Sequence, residues 1–535
     1  MCGIWALLSS LKIKDFGKHY NDFMKIKHRG PEYSSFDLVN DHLLIGFHRL
    51  KIMDLTAQGN QPFHHVRDDG SCIYCICNGE IYNSDELKKK YDIVTESHSD
   101  CEVIIPLYEK IGYYELCKVL GSEFAFMIFD VSLDNNVHIY AGRDPIGNRP
   151  LFYGTDENTI CLSSELKGIN QSYNNYNVFE PGTCFHYHNG KYEIKRYYEY
   201  IYPEQKHYNI ESEIRNKLIY CVEKRLRSDK PIGALLSGGL DSSLINGVIK
   251  YINPEIEYPL FTIVMKEGGD DLKYAKMVAK HLNLEHHVIK IDKEELLKNI
   301  DRTIYAIESW DITTVRASTL QYVISKKIKK YNIPVLFVGE LADEVAGGYL
   351  YEYYAPTNND FHNDCVRLVK DVHRFDGLRT DRSCAAHGIE VRTPFSDPEF
   401  IDFYMSLDVN LRKPNKDRME KCALREAFDE LNIIPQEVLW RQKNAFSDSV
   451  SKEEDSWYLT VQKYIDTIVS DDEFENNKKH YTFCEPKTKE AYYYRKKFRE
   501  YFGERDVVIP YYWMPKWTEE TNDPSARTLK IYKND

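Results

Sequence analysis

Residues 232–252 constrain the fold more than any other stretch of this 535-residue chain. An apolar run at 232–236 reads as a buried strand. Ser237-Gly238-Gly239-Leu240-Asp241-Ser242-Ser243 follows it, and then Leu244, Ile245, Val248 and Ile249 recur at helical spacing. The loop between strand and helix carries its own chemistry. Two glycines let the backbone approach an anion, and the free N–H groups at a helix N-terminus bind phosphate. The serines add hydroxyl donors. Asp241 would repel phosphates unless a divalent cation lay between, and Mg²⁺ is the expected one. The lysine of a Walker A loop is missing, so kinase-like γ-phosphoryl transfer is not implied.

The surroundings extend the pattern. Ile210, Ile214, Leu218, Cys221 and Val222 mark an amphipathic helix that ends near Ser228-Asp229. Strand-like runs at 232–236, 260–265, 286–291 and 335–338 then alternate with helical runs at 242–252, 272–282, 296–307 and 320–331. This alternation predicts an α/β doubly wound parallel sheet with helices on both faces. After about residue 365 the chain reads as mainly helical, and 516–535 as a polar tail. The first 196 residues differ. Short β-like runs at 43–47, 71–77, 124–130, 137–142 and 159–163, turns at Asn135-Asn136 and Asn189-Gly190, and a helix over 101–110 predict layered α+β with antiparallel sheets. The tyrosine-rich stretch 197–208 reads as a linker between domains at 1–196 and 209–515.

Composition excludes several classes. A net charge of −13 argues against a nucleic-acid-binding face. No apolar run reaches the ~18–20 residues of a transmembrane helix, so no membrane partner is expected. The apolar segment 2–11 lacks the charged flank of a secretion signal and reads as a buried strand. Thirteen cysteines, an odd number without framework spacing, point to a reducing, cytoplasmic compartment. Cys72-Ile73-Tyr74-Cys75-Ile76-Cys77 reads as strand rather than metal site, because its alternation puts Cys72 and Cys75 on opposite faces.

Cys2 follows the initiator methionine. With Met1 removed, thiol and α-amine share one residue, and the amine titrates low enough to take the thiol proton near neutral pH. This is the logic of an N-terminal nucleophile that carries its own general base. His28-Arg29-Gly30-Pro31-Glu32, His48-Arg49-Leu50, Asn78-Gly79-Glu80-Ile81-Tyr82-Asn83, Ser99-Asp100 and Gly142-Arg143-Asp144 stand downstream in that order.

Together with Cys2, these motifs resemble the glutaminase domain of class II glutamine amidotransferases. The loop at 237–243 resembles the pyrophosphate loop of the ATP pyrophosphatases. The whole chain, from Cys2 to at least Arg527, is similar to the glutamine-hydrolysing asparagine synthetases of the B type. Further matches are Trp310-Asp311-Ile312-Thr313-Thr314-Val315-Arg316-Ala317-Ser318-Thr319, Gly339-Glu340, Asp343-Glu344, Gly347-Gly348-Tyr349, Gly388-Ile389-Glu390-Val391-Arg392, Arg441-Gln442-Lys443, Phe446-Ser447-Asp448, Lys489-Glu490-Ala491-Tyr492 and Asp523-Pro524-Ser525.

The resemblance implies an N-terminal nucleophile hydrolase domain with αββα layers, an ATP-pyrophosphatase domain, and ATP, glutamine and aspartate as substrates with Mg²⁺. It implies that Cys2 attacks the glutamine amide, that Asn78 and the Gly79 N–H hold the oxyanion, and that Arg49, Leu50, Lys51, Ile52, Met53, Glu80 and Asp100 bind glutamine. Leu235, residues 237–243, Val264, Val338, Gly339 and Lys443 would serve ATP, and Asp241 with Asp343 the metal. Thr313, Thr314, Arg316 and Tyr349 would face aspartate or its adenylate, and Glu340 would take the proton from the attacking ammonium. Ammonia would travel by an internal tunnel, and a homodimer is the family's habit.

The chain departs from the family's usual Ser-Gly-Glu-Gly-Ser-Asp-Glu at Val338-Gly339-Glu340-Leu341-Ala342-Asp343-Glu344, and Ser396 stands where a leucine is usual. If the position of Leu341 needs a positive φ, a leucine there is strained. Two other readings stay open: an amidotransferase of this architecture acting on another carboxylate, and a catalytically weak protein kept for binding.

Overall fold

The computed structural model describes residues 1–121, 123–266, 268–269, 271–443, 456–518 and 521–525. The Phe446-Ser447-Asp448 motif and Arg527 lie outside them. The chain divides into two compact units. The first is Met1–Tyr200 with two short returning segments, Arg227–Lys230 and Ala385–Glu390; the second is Ile201–Leu226, Pro231–Cys384 and the chain from Val391 on. The division falls at Tyr200, inside the stretch read from sequence as a linker. The returning segments had been assigned by sequence to the second domain. Hydrogen bonds from Asp229 N to the Ile52 carbonyl (3.1 Å) and from Arg227 to the Ser84 hydroxyl (3.0 Å) tie the shorter of them to the first unit.

The first unit holds two six-stranded sheets. One consists of β1 (Gly3–Ser9), β2 (Tyr33–Asn40), β3 (Leu43–Arg49), β8 (Phe152–Thr155), β9 (Thr159–Ser163) and β10 (Asn175–Val178), in the order β10-β8-β9-β1-β3-β2. The other takes β4 (Phe63–Val66), β5 (Cys72–Glu80), β6 (Glu123–Val131), β7 (Val137–Arg143), β11 (Thr183–His188) and β12 (Lys191–Arg196), in the order β12-β11-β7-β6-β5-β4. Every resolved pairing in both is antiparallel.

Strand alternation builds the core. Ile4, Ala6 and Leu8 of β1 share one apolar cluster with Met127, Phe129, Ile139 and Phe185 of the other sheet. On the opposite face of β1, Trp5 meets Phe23 of the helix Phe16–Met24 and donates to the Gly168 carbonyl. Cys75, Cys77, Phe126 and Ile128 turn the other way and pack on Leu107 and Leu116 of a helix. That helix spans Ile104–Val119, longer than the sequence predicts; it starts after a 3₁₀ turn at Asp100–Val103 and breaks at Gly112, whose φ of 75° only glycine adopts easily. All thirteen cysteines are free thiols, and no cluster of three metal-ligating side chains occurs among the described residues.

The second unit is built on a five-stranded sheet of β13 (Ile232–Leu235), β14 (Leu260–Met265), β15 (His286–Ile291), β16 (Val335–Phe337) and β17 (Glu390–Arg392), in the order β15-β14-β13-β16-β17. β13 runs parallel to β14 and β16, and β14 parallel to β15. Every residue of β14 is buried, the signature of a strand covered on both faces. No described helix is long and apolar enough to cross a membrane.

Buried ion pairs brace the first unit. Arg149 and Glu123 meet at 2.9 Å with both side chains 1% exposed. Removing one partner of such a pair leaves an uncompensated buried charge and costs about 3–5 kcal/mol. Glu123→Ala is expected to lose that much stability in urea or thermal unfolding.

Candidate functional site

Two clusters of chemistry-bearing residues emerge, one in each unit. In the first, β1 starts one residue after Cys2, so the strand that anchors the sheet also places the Cys2 thiol. The Cys2 N–H donates to Asn78 Oδ1 at 2.8 Å, and the thiol lies 3.8 Å from the Leu50 carbonyl. Burial pushes the thiol's pKa up, against the opposing pull of the nearby α-ammonium and the Leu50 contact. Asn78 is fully buried, and its Nδ2 has no hydrogen-bond partner. A buried amide donor without a partner is costly unless a ligand supplies the acceptor, which is what an oxyanion would do.

Gly79 has a steric reason. A Cβ there would stand against the Glu123 carbonyl and 2.8 Å from Phe124 Cα, so only glycine lets β5 lie this close to β6. Asp100 accepts from Ile81 N and is raised by burial; the Cys101 thiol at 3.6 Å from the Gly79 carbonyl keeps this turn against the Asn-Gly pair. Arg49 is spent on its own loop. Its guanidinium donates to the carbonyls of Thr56 (2.7 Å), Met53 (3.2 Å) and Asp54 and to Asn60 Oδ1 (2.6 Å), fixing residues 53–60. Leu50 and Ile52 are buried there, while Lys51 and Met53 are half-buried. Glu80, the residue after Gly79 and the last of β5, is buried. The structure thus gathers Cys2, Leu50 and Asn78 directly. Arg29, which the sequence reading left without a role, donates to the Cys2 carbonyl at 3.0 Å and pairs with buried Glu165 at 2.8 Å.

In the second unit a cavity of about 1100 Å³, its open mouth included, lies at the C-terminal ends of β13, β14 and β16. This is where ligands bind in open α/β sheets. Leu235, Ser237, Gly239, Leu240, Asp241, Ser242, Gly339, Glu340, Asp343 and Lys443 line it. The loop is internally tied: the Ser237 and Ser242 hydroxyls meet at 2.9 Å, Gly239 N donates to Ser237 Oγ, and Ser243 Oγ donates to the Gly239 carbonyl at 2.6 Å. The helix Leu240–Ile252 begins there. Gly238 sits at φ 83°, and Gly339 passes so close that a Cβ would stand 2.5 Å from Ser242 N.

Several expected residues lie elsewhere. Gly238 and Ser243 shape the loop without lining the cavity, and Val338 is buried with its N–H on the Arg392 carbonyl. Phe261 and Ile263 line the wall where Val264 was expected, because strand alternation turns Val264 to the other face. Arg316 is not in the lining. It is 3% exposed and clamped by Glu490 (2.6 Å) and Asp523 (2.7 Å), so residues 521–525, read as part of a polar tail, are bound to the fold. Thr314 bonds back to Asp311, Thr313 Oγ1 is buried without a partner, and Tyr349 donates to Glu344 at 2.7 Å.

Sequence reasoning missed Lys421, Arg379 and Gln321. Lys421 Nζ lies 2.6 Å from both Asp241 and Asp343, and Lys443 pairs with Asp343 as well. Burial alone would raise the Asp343 carboxyl, but the two ammonium groups override it and hold it well below the usual range. Asp241 and Asp343 share Lys421 and belong to no cluster of three metal-ligating side chains among the described residues; such a pair suits Mg²⁺, which takes one or two carboxylates and completes its shell with water and phosphate oxygens. Glu340 accepts from Gln321 at 3.3 Å; burial raises its pKa, with Arg379 pulling the other way. No local pattern announces a lone lysine as a partner of residues 180 positions away.

The departures are accommodated. Leu341 does adopt a left-handed conformation, φ 73° and ψ −4°, and is 3% exposed. Ser396 is fully buried and satisfied by the Thr393 carbonyl at 2.7 Å. For Leu341 the strain of about 1–2 kcal/mol opposes burial worth about 2–5 kcal/mol by large-to-small substitution. Burial wins, so Leu341→Gly is expected to destabilise the protein by about 1–3 kcal/mol in chemical denaturation, despite relieving the backbone.

The family described as "Glutamine amidotransferase domain" matches residues 1–199, and "Asparagine synthase" matches residues 213–365 and 355–522. The chain is 38% identical over 572 residues to "Asparagine synthetase [glutamine-hydrolyzing]" of Gallus gallus, covering 100% of this chain and 99% of that protein. The Homo sapiens protein of the same name is 37% identical over 571 residues, at the same coverage. With a catalytic-type cluster in each unit and both families matched along its length, the chain belongs to the asparagine synthase family, with a glutamine amidotransferase domain at its N-terminal end.

Proposed function

We propose that the chain makes L-asparagine from L-aspartate in an ATP-dependent reaction, using ammonia released from glutamine. The observation that carries the reading is the pairing of an N-terminal cysteine held on Asn78 with a serine–glycine loop whose cavity ends on Glu340. Cys2, freed by removal of Met1, attacks the glutamine amide, with its own α-amine as base. Asn78 Nδ2 and the Gly79 N–H hold the oxyanion, a role worth about 2.7–4 kcal/mol per donor in other hydrolases. Asp100 and Glu80 receive the α-ammonium of glutamine, and the loop fixed by Arg49 frames its carboxylate end. Water then releases glutamate from the thioester.

In the second unit the loop at 237–243 takes the pyrophosphate of ATP, and Leu235, Phe261 and Ile263 flank the base. Asp241 and Asp343 would hold Mg²⁺, which neutralises phosphate charge when bound. Lys443 and Lys421 then have phosphate oxygens to turn to. The aspartate side-chain carboxylate attacks the α-phosphorus, giving β-aspartyl-AMP and pyrophosphate, and ammonia displaces AMP. Glu340, raised by burial, takes the proton that the attacking nitrogen must shed. Arg316, clamped by Glu490 and Asp523, supports the wall behind the aspartate site. The N-terminal nucleophile hydrolase layering, the doubly wound sheet, a cytoplasmic setting and a homodimer belong to the same proposal.

Cys2→Ala tests the two-site scheme. Glutamine-dependent synthesis is expected to fall by about 10⁴-fold or more, while synthesis from added ammonium persists; loss of both contradicts it. Pyrophosphate release with other carboxylic acids and none with aspartate would move the reading to a different substrate.

Glu340 gives a pH test. A base whose pKa is raised is protonated and idle below that value, so ammonium-dependent synthesis should rise as pH rises through it. Glu340→Gln is expected to lower the rate by about 10²–10⁴-fold and to remove that rising limb.

A further inference from the structure

The motif Gly388–Arg392 has no task in the scheme above, yet its Glu390 sits at the nucleophile. Within the first unit, Glu390 Oε2 lies 2.5 Å from the α-ammonium of Met1, with both side chains fully buried. Met1 itself is 2% exposed, and its sulfur is touched by Arg29 Nη2 at 3.6 Å. Met1 and Cys2 are neighbours in the chain, so their Cα atoms are ~3.8 Å apart. Glu390 therefore grips a primary ammonium one residue from the thiol that releases ammonia from glutamine. Its charge also reaches that thiol, adding to what burial does in raising it.

Removal of Met1 takes away this ammonium, which is buried beside Glu390. The Cys2 nitrogen, which would become the new α-amine, already has a partner in Asn78 Oδ1 at 2.8 Å. We propose that Glu390 is the first binding site of the released nitrogen, holding it as an ammonium ion in the place of the Met1 amine. The balance closes: glutamine plus water gives glutamate and ammonium, and the proton shed by the new carboxyl group is the one that ammonia takes up. A carboxylate suits this task because it accepts charge-assisted hydrogen bonds from an ammonium, about twice as strong as neutral ones. Held there, the nitrogen is kept from bulk water until it is passed on.

This inference rests on the glutaminase reading and is tested separately from it. In enzyme whose Met1 removal is verified by mass spectrometry, asparagine formed per glutamate released is measured with glutamine as donor. Glu390→Gln keeps the shape and removes the charge. The ratio is expected to fall about tenfold, the scale of a lost hydrogen bond to a charged group, with glutamate release falling far less. Synthesis from saturating added ammonium is expected to persist. Glu390→Asp, which keeps the charge and draws it back by one carbon, is expected to restore part of the ratio and serves if the first variant does not fold. An unchanged ratio overturns the proposal. So does a shift in the pH profile of glutamate release without loss of coupling, which would assign Glu390 to the Cys2 amine. A wild-type enzyme that makes no asparagine overturns the functional reading as well, and is recognised by its own blank.

Discussion

The position of β1 inside its sheet is the constraint on which the first unit depends. β1 pairs with β3 on one side and β9 on the other, so its backbone is satisfied on both edges and its register is pinned twice. A strand slipped by one residue would turn Ile4, Ala6 and Leu8 out of the shared core and Trp5 into it. That penalty fixes the strand, and with it the residue just before the strand. Cys2 is thereby delivered to Asn78 without a loop to wander in. A chain terminus is normally frayed; here the sheet supplies the order that the terminus lacks.

The second unit solves an electrostatic problem with the same economy. Asp241 and Asp343 are like charges facing one cavity, and without a cation they would repel. Lys421, almost fully buried, lies between them, and Lys443 pairs with Asp343 from the rim. Two negative and two positive groups leave this cluster near neutral. An anion entering together with a cation would exchange partners rather than create isolated charges, which in a buried site would be far more costly.

Legibility in the sequence followed the range of the interaction. The strand–loop–helix at 232–252 was readable because its signals are local: apolar periodicity, glycines where the backbone must approach, serines that tie the loop to itself. The antiparallel half was readable from alternation and turns. The helix after Asp100 was placed short, because Gly112 breaks the geometry of the helix without ending it. The sequence points to Val264 at the nucleotide, whereas Ile263 lines the cavity, because the face a buried strand turns to a ligand is not written in a run that is apolar throughout. The segments 227–230 and 385–390 were assigned by chain order, whereas packing places them with the first unit.

By itself the sequence determined which chemistries are present: a thiol at the second residue, a serine–glycine loop between strand and helix, and acidic side chains close to it in the chain. These depend on residue identity and on spacing over a few positions, which the chain states directly. Only the tertiary structure decided what faces what. Glu390 meets the N-terminus across 389 positions, Lys421 meets Asp241 across 180, and Arg316 meets Asp523 across 207. The physical reason is that a buried charge is stable only against a partner. Which partner it gets is settled by the packing of whole sheets and helices, leaving no trace in the residues on either side.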